Sequence, residues 1–157
     1  METRQTGWLI IIAMAAAMLL IFGLSIWGTM TENGGIFLFL FAPVMIIPAL
    51  LFYQLTVIVD YNEVKIRFGI GIIHKTWQFS KIESAAPVKN NILHGWGIHY
   101  ATNTTIYNVS GFMAVELKFR NSRRKVRIGT IEPEKLAEYI NKMIEKSVKK
   151  VDSEQQF

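Results

Sequence analysis

Two long uncharged stretches of apolar residues open the chain. The first runs from Trp8 to Gly28, and as a helix it reaches about 32 Å, enough to cross a hydrocarbon core of ~30 Å. The second predicts a helix over about residues 36–53, in which Pro43 and Pro48 are tolerated because membrane neighbours satisfy the freed carbonyls. A short turn-forming link joins the stretches, so the pattern predicts a transmembrane helical hairpin.

The ends of the first stretch favour a membrane span over its alternatives. Trp8 and Trp27 stand at these ends, and indole side chains favour the membrane interface. A cleaved signal peptide has an apolar region of only ~7–15 residues, and two such stretches are atypical of buried core helices. Arg4 precedes the first stretch, and Lys65 and Arg67 follow the second, so the positive-inside rule places both termini in the cytoplasm.

After the second stretch, the pattern changes to alternation with a period of two. Val64, Ile66 and Phe68 alternate with Lys65 and Arg67, which is typical of a strand with one buried face. The same alternation, with turn residues between its segments, predicts strands near residues 55–60, 64–68, 72–79, 84–88, 97–100, 106–109, 115–120 and 126–128.

The last segment has helical spacing instead. Leu136, Ile140, Met143 and Ile144 share one face, which predicts an amphipathic helix over about residues 132–149. Such a helix can cover the apolar face that a small curved sheet leaves open.

The predicted fold class combines the two apolar stretches, the strands and the last helix. It is a two-helix transmembrane hairpin followed by an all-β barrel of about seven antiparallel strands, capped by a C-terminal α-helix. The N-terminal tail and hairpin occupy residues 1–54, with helices at about 8–28 and 36–53. The cytoplasmic β domain occupies residues 55–150, and a flexible tail occupies residues 151–157.

Four short motifs in the β domain resemble those of the membrane-anchored bacterial pleckstrin-homology (PH) proteins. They are Tyr107–Gly111, Ala114–Leu117, Arg127–Thr130 and the pair Glu132-Pro133 ahead of the closing helix. The resemblance covers about residues 55–149. It implies a PH-like domain with two near-orthogonal sheets, seven strands and a C-terminal helix, held at the plasma membrane of a prokaryote by a multi-pass anchor.

The composition excludes several kinds of functional site. Apolar residues make up 51% of the chain and charged residues 18%, against ~25% charged in typical soluble domains. The lack of Cys excludes a disulfide scaffold, a thiolate metal site and a cysteine nucleophile. The sequence also holds no phosphate-binding loop, dinucleotide motif or nucleophile elbow, so neither an enzymatic activity nor a cofactor is predicted.

The histidines are the remaining candidates for metal or acid–base chemistry. His74, His94 and His99 do not match the spacing of a known metal-ligand motif, so no metal site is predicted. An enzyme would need a polar pocket assembled across strands, on which His99, Tyr100 or Tyr107 converge.

The predicted last hairpin concentrates positive charge in a protein whose net charge is +5. A patch of this kind attracts anionic lipid headgroups, worth about 1 kcal/mol per cation near the surface. Equally, the basic patch can be a solvated strand edge whose charge prevents the sheets of two molecules from pairing edge to edge. Nucleic acid is not a predicted partner, because aromatic stacking residues do not accompany the charge. The six residues of the candidate patch are Lys118, Arg120, Arg123, Arg124, Lys125 and Arg127.

These observations predict a non-enzymatic adaptor anchored in the lipid bilayer. Its PH-like domain is expected to mediate protein interaction or assembly at the inner membrane surface, with a membrane or cytoplasmic protein as the unknown partner. The alternative is a sensor or binder of anionic lipid headgroups that uses the basic last hairpin.

Overall fold

The computed structural model describes residues 1–29, 43–44, 46–91 and 97–154. A strand, β1 (Glu2–Thr6), comes first, and Gly7 alone separates it from the helix α1 (Trp8–Thr29). The later elements, in chain order, are β2 (Gln54–Val59), β3 (Glu63–Phe68), β4 (His74–Gln78), a 3-10 helix (Phe79–Lys81), β5 (Ile82–Lys89), β6 (Gly97–Ala101), β7 (Thr104–Asn108), β8 (Met113–Phe119), β9 (Lys125–Gly129) and α2 (Pro133–Glu154).

The nine strands in the described part of the chain form two sheets. The first sheet has the order β1-β2-β3-β4, and its neighbouring strands are all antiparallel. The second sheet has the order β5-β8-β9-β7-β6, in which β7 and β9 are parallel and the other neighbours are antiparallel. The first residues of the chain thus share a sheet with residues 54–78.

The core lies between the apolar faces of the two sheets and under α2. Alternation in β3 buries Val64 and Ile66, as the two-residue period of a strand requires. Leu136 of α2 is also fully buried. Asn141 of α2 donates a hydrogen bond to the carbonyl of Ala85 in β5 (2.8 Å) and accepts one from its N–H (2.9 Å). These two bonds fix the helix across the second sheet.

The predicted fold class was wrong. Within the described residues one complete helix, α1, precedes β2, and an unpredicted strand precedes α1. The strands number nine rather than about seven, and the second sheet is mixed rather than antiparallel. The second helix of the predicted hairpin, at 36–53, lies partly outside the described residues; residues 43–44 and 46–52 are helical.

The errors have physical causes. The segment Glu2–Thr6 holds no apolar residue, so alternation could not reveal it, yet its ladder of hydrogen bonds to β2 makes it a strand. The parallel pair arises because β8 lies between β5 and β9, which leaves β7 on the other side of β9. Such a choice of neighbours depends on the packing of the whole sheet rather than on local pattern.

α1 is long and apolar enough to span a membrane, and nearly all of its residues from Trp8 to Gly28 are unburied. Both of its terminal tryptophans, Trp8 and Trp27, are exposed. Among the described residues it is the one helix with this length and composition, so the multi-pass arrangement predicted from sequence is not supported.

The strand registers give the β domain two ends. The end where the chain enters α1 and returns to β2, here called the anchor end, comprises Gly7, Tyr53 and the loops 69–73, 109–112 and 130–132. The opposite end, here called the far end, comprises the turns 60–62, 79–81, 102–103 and 120–124.

Contacts between the sheets confirm that their ends coincide. At the anchor end, the side-chain amide of Gln5 in the first sheet donates to the carbonyl of Ser110 beside the second sheet. At the far end, the N–H of Phe79, in the 3-10 helix that leads into the second sheet, donates to the carbonyl of Asn62 in the β2–β3 turn (2.9 Å). β8 connects the two ends, which lie about 20 Å apart because a strand rises ~3.3 Å per residue.

Candidate anion-binding cleft at the far end

A cleft of about 610 Å³ opens between the two sheets towards the far end. Its first wall comes from β4, the last strand of the first sheet. Lys75 and Trp77 pair with the buried residues Ile66 and Val64 of β3, so they lie on the inward face of β4. Residues of β7 and of the β8–β9 turn line the other wall. The sheet edge at β4 thus leaves a groove beside the core.

The described residues that line the cleft combine positive charge with aromatic surface, and none of them is Asp or Glu. One of the lining cations, Lys125, is neutralised by Glu116 outside the cleft (3.0 Å). The other cations have no carboxylate beside them in this lining, so the local potential is positive. The five cations are Lys75, Lys81, Arg120, Arg124 and Lys125, and the three aromatic residues are Trp77, Tyr107 and Phe119.

The β8–β9 turn is held in place by hydrogen bonds at both of its ends. The Nε–H of Arg120 donates to the carbonyl of Ile82 (3.2 Å), which fixes this guanidinium against the start of β5. The N–H of Arg124 donates to the Oγ of Ser122 (3.1 Å). Asn121 between them has a φ of 56°, a left-handed conformation that Asn adopts more readily than most residues.

Tyr107 forms the aromatic floor of the cleft. Its ring centroid lies 5.7 Å from that of Trp77, edge to face, and 6.1 Å from that of Phe68. Burial raises the pKa of the Tyr107 hydroxyl, and the neighbouring Tyr100 raises it further. The hydroxyl therefore stays protonated at neutral pH, where it can donate a hydrogen bond to an anion.

A second charged cluster lies on the outer face of the second sheet. The carboxylate of Glu116, only 6% exposed, accepts a bond from Lys125 Nζ (3.0 Å) and one from Arg127 Nε (2.9 Å). Burial alone would raise the pKa of Glu116, but the hydrogen bonds and charges of its two partners outweigh burial and lower it. The carboxylate of Glu116 thus bridges two cations of the same sheet.

The structure divides the six cations that the sequence placed in one patch. Arg120, Arg124 and Lys125 line the cleft, although the ammonium of Lys125 also binds Glu116. Arg127 is occupied by the same carboxylate. The remaining two, Lys118 on the outer face of β8 and Arg123 in the turn, are exposed and lie outside the described lining of the cleft.

Sequence reasoning missed the other half of the cleft. Lys75 and Trp77 alternate in β4, which does predict a shared face. Nothing in that alternation indicates that this face opens towards Arg124, which lies 49 residues after Lys75 in a turn of the other sheet. Lys81 is brought to the cleft by the 3-10 helix, an element the pattern did not predict.

The residues considered for catalysis do not converge. His99 pairs with Ile106, so it lies on the face of the second sheet opposite to Tyr107. Tyr100 is exposed, and His94 lies outside the described residues. Within the described ranges, no three His, Asp or Glu side chains come close enough to hold a metal ion. The expectation of no enzymatic activity stays a prediction.

No protein-family model, curated protein or solved structure matches this chain. The resemblance to PH proteins therefore stays a prediction. The cleft and the position of α1 are the features that bear on function.

Proposed function

We propose that this protein is a non-enzymatic, membrane-anchored adaptor that binds an acidic segment of a partner protein in the far-end cleft. One observation carries the proposal: the described lining of the cleft holds no carboxylate and four cations beside Lys125, whose ammonium pairs with Glu116. Arg and Lys would give the partner's Asp and Glu charge-assisted hydrogen bonds. The rings of Trp77 and Phe119 would cover apolar side chains of the same segment.

The position of the cleft favours a protein partner over lipid headgroups. With α1 as the anchor, the far end stands about 20 Å from the anchor end, the length of β8. Attraction between exposed charges is largely screened beyond about 8 Å at physiological salt. A lipid sensor would need its basic turn against the headgroups, whereas Gly7 and Tyr53 lie at the other end.

The proposed location is the plasma membrane of a prokaryote, with the β domain in the cytoplasm. The N–H of Gly7 donates to the carbonyl of Tyr53 (2.8 Å), so the chain leaves and rejoins the domain at adjacent points. β1 is therefore part of the same domain as residues 54–154. Arg4 and Arg67 belong to this domain, and the positive-inside rule favours the cytoplasmic side for it.

The test uses the full chain in phosphatidylcholine nanodiscs, with a fluorescent peptide of consecutive Glu residues as the acidic probe. We expect Arg124→Glu to weaken binding of the peptide by about tenfold or more, because a favourable charge contact becomes repulsive. The matched control is Arg123→Glu, in the same turn but outside the described lining of the cleft, and it should weaken binding much less. Equal losses would assign the binding to net charge and overturn the cleft as the site.

A second measurement separates the protein-binding proposal from the lipid alternative. Because the chain has no Cys, Ser80→Cys, at an exposed position in the lining of the cleft, accepts a single environment-sensitive dye. We expect the same emission in phosphatidylcholine nanodiscs and in nanodiscs rich in phosphatidylglycerol. A blue shift confined to the anionic nanodiscs would favour headgroup binding and contradict the proposal.

A further inference from the structure

The exposed large apolar side chains of the β domain are segregated by end. Among the described residues, five aliphatic or phenyl side chains between 39% and 70% exposed belong to the loops 69–73, 109–112 and 130–132 or flank them, whereas the exposed residues Tyr61 and Tyr100 lie towards the far end. Large exposed apolar side chains gathered at one place mark an interaction surface. The five anchor-end residues are Ile70, Ile72, Phe112, Met113 and Ile131.

Hydrogen bonds hold these loops beside the point where α1 begins. The N–H of Ile70 donates to the carbonyl of Leu50 (3.2 Å), and the N–H of Thr130 donates to the carbonyl of Met113 (3.1 Å). A Cβ on Gly7 would lie 3.1 Å from the carbonyl oxygen of Val109, so the 109–112 loop reaches the start of α1. The three loops are therefore fixed parts of one surface.

No spacer separates this surface from α1. Gly7 is the single residue between β1 and α1, and the N–H of Ile11 in the first turn of α1 already donates to the carbonyl of Gly7 (3.0 Å). An indole side chain prefers the membrane interface. When Trp8 lies there, the anchor end must lie close to the lipid, because no linker separates it from α1.

We propose that the anchor end is a membrane-docking surface, in which the side chains of Ile70, Ile72, Phe112, Met113 and Ile131 enter the interface of the bilayer that holds α1. The inference rests on the proposed membrane anchorage and extends it from one helix to the orientation of the domain. The occupant is the bilayer because the 109–112 loop lies against Gly7, where the apolar and largely unburied helix α1 begins. The domain is thus oriented with its anchor end at the membrane and its cleft facing away from the lipid.

The experiment places a fluorophore on single cysteines of the full chain in phosphatidylcholine nanodiscs that contain nitroxide-labelled lipid. Ile72→Cys and Ile131→Cys report on the anchor end. Tyr61→Cys and Tyr100→Cys are the controls, at far-end positions that are 82% and 81% exposed. All four positions are exposed, so the substitutions leave the core intact. Quenching by nitroxide is short-ranged, and we expect it to be several-fold stronger at the two anchor-end positions.

A label at Leu19→Cys, in the middle of α1, distinguishes failure of this inference from failure of the anchorage. Strong quenching of Leu19→Cys by nitroxide near the acyl-chain end, with equal quenching at all four domain positions, would overturn the docking surface and leave the anchorage standing. The absence of quenching at Leu19→Cys would overturn both.

Discussion

At the scale of single residues, the ion pairs of Glu116 make the stability of the fold sensitive to acid. The lowered pKa of this carboxyl means that the folded state binds its proton less readily than the unfolded state. Stability from Glu116 is therefore present above the ordinary pKa of 4.5 and is lost as the pH falls through the lowered pKa of the folded state. We expect Glu116→Gln to reduce the free energy of unfolding by about 1–3 kcal/mol at neutral pH.

The measurement is chemical unfolding at neutral pH and again below the pKa of folded Glu116. The difference between Glu116→Gln and the natural chain should shrink in acid, because the natural side chain is then also neutral. Glu138→Gln, on the exposed face of α2, should leave the free energy of unfolding nearly unchanged at both values. A constant difference at all pH values would refute the charge-based explanation.

Gly129 is a second residue with a specific steric role. A Cβ at this position would lie 2.2 Å from Oδ1 of Asn108 and 2.7 Å from Oε1 of Gln5. Asn108 cannot yield freely, since its amide donates to the carbonyl of Gly111 (2.9 Å). Gly129→Ala is therefore expected to lower the free energy of unfolding by about 1–3 kcal/mol.

Thermal unfolding checks this prediction against Gly23→Ala as the control. A Cβ at Gly23 meets no atom within 4 Å, so Gly23→Ala should not destabilise the protein. If both variants unfold at the temperature of the natural chain, the contact of Gly129 with Asn108 and Gln5 is not a constraint on the fold.

At the scale of elements, β1 makes the β domain depend on residues that come before α1. Thr3 and Gln5 of β1 are buried, and β1 covers the edge of β2. A fragment of residues 54–157 would expose that edge, and a bare edge strand pairs with other chains. We expect the fragment to self-associate, and we expect a peptide of residues 1–7 to restore a monomer, as measured by light scattering.

A peptide that carries Gln5→Pro is the matched control. Proline cannot donate to the ladder, and Gln5 lies opposite Leu55 in β2. The altered peptide should therefore fail to restore the monomer. A fragment that is monomeric and folds cooperatively without any peptide would show that β1 is dispensable.

At the scale of the whole molecule, local pattern predicted most elements but not their assembly. Alternation at Val64 and Ile66 revealed β3 because the polarity of each residue in a strand indicates whether it lies on the buried or the exposed face. Lys75 and Arg124 line the same cleft because the edges of the two sheets meet there. No local pattern of residues indicates which sheet edges meet. The ion pair between Arg127 and the buried Glu116 likewise follows from the β8–β9 register. A hairpin rich in cations was thus visible in the sequence, while its division into a cleft and an ion pair was not.

The single-residue join at Gly7 also determines how the molecule would respond to force. β1 and β2 run in opposite directions and both meet the apolar segment at the same end, where Thr6 lies opposite Gln54. Tension that separates α1 from residue 53 would act first on the pair Thr6 and Gln54. The hydrogen bonds between β1 and β2 would then break one after another. Resistance would therefore be low at the start, and lateral tension in the membrane could peel the first strand away while the second sheet remains closed.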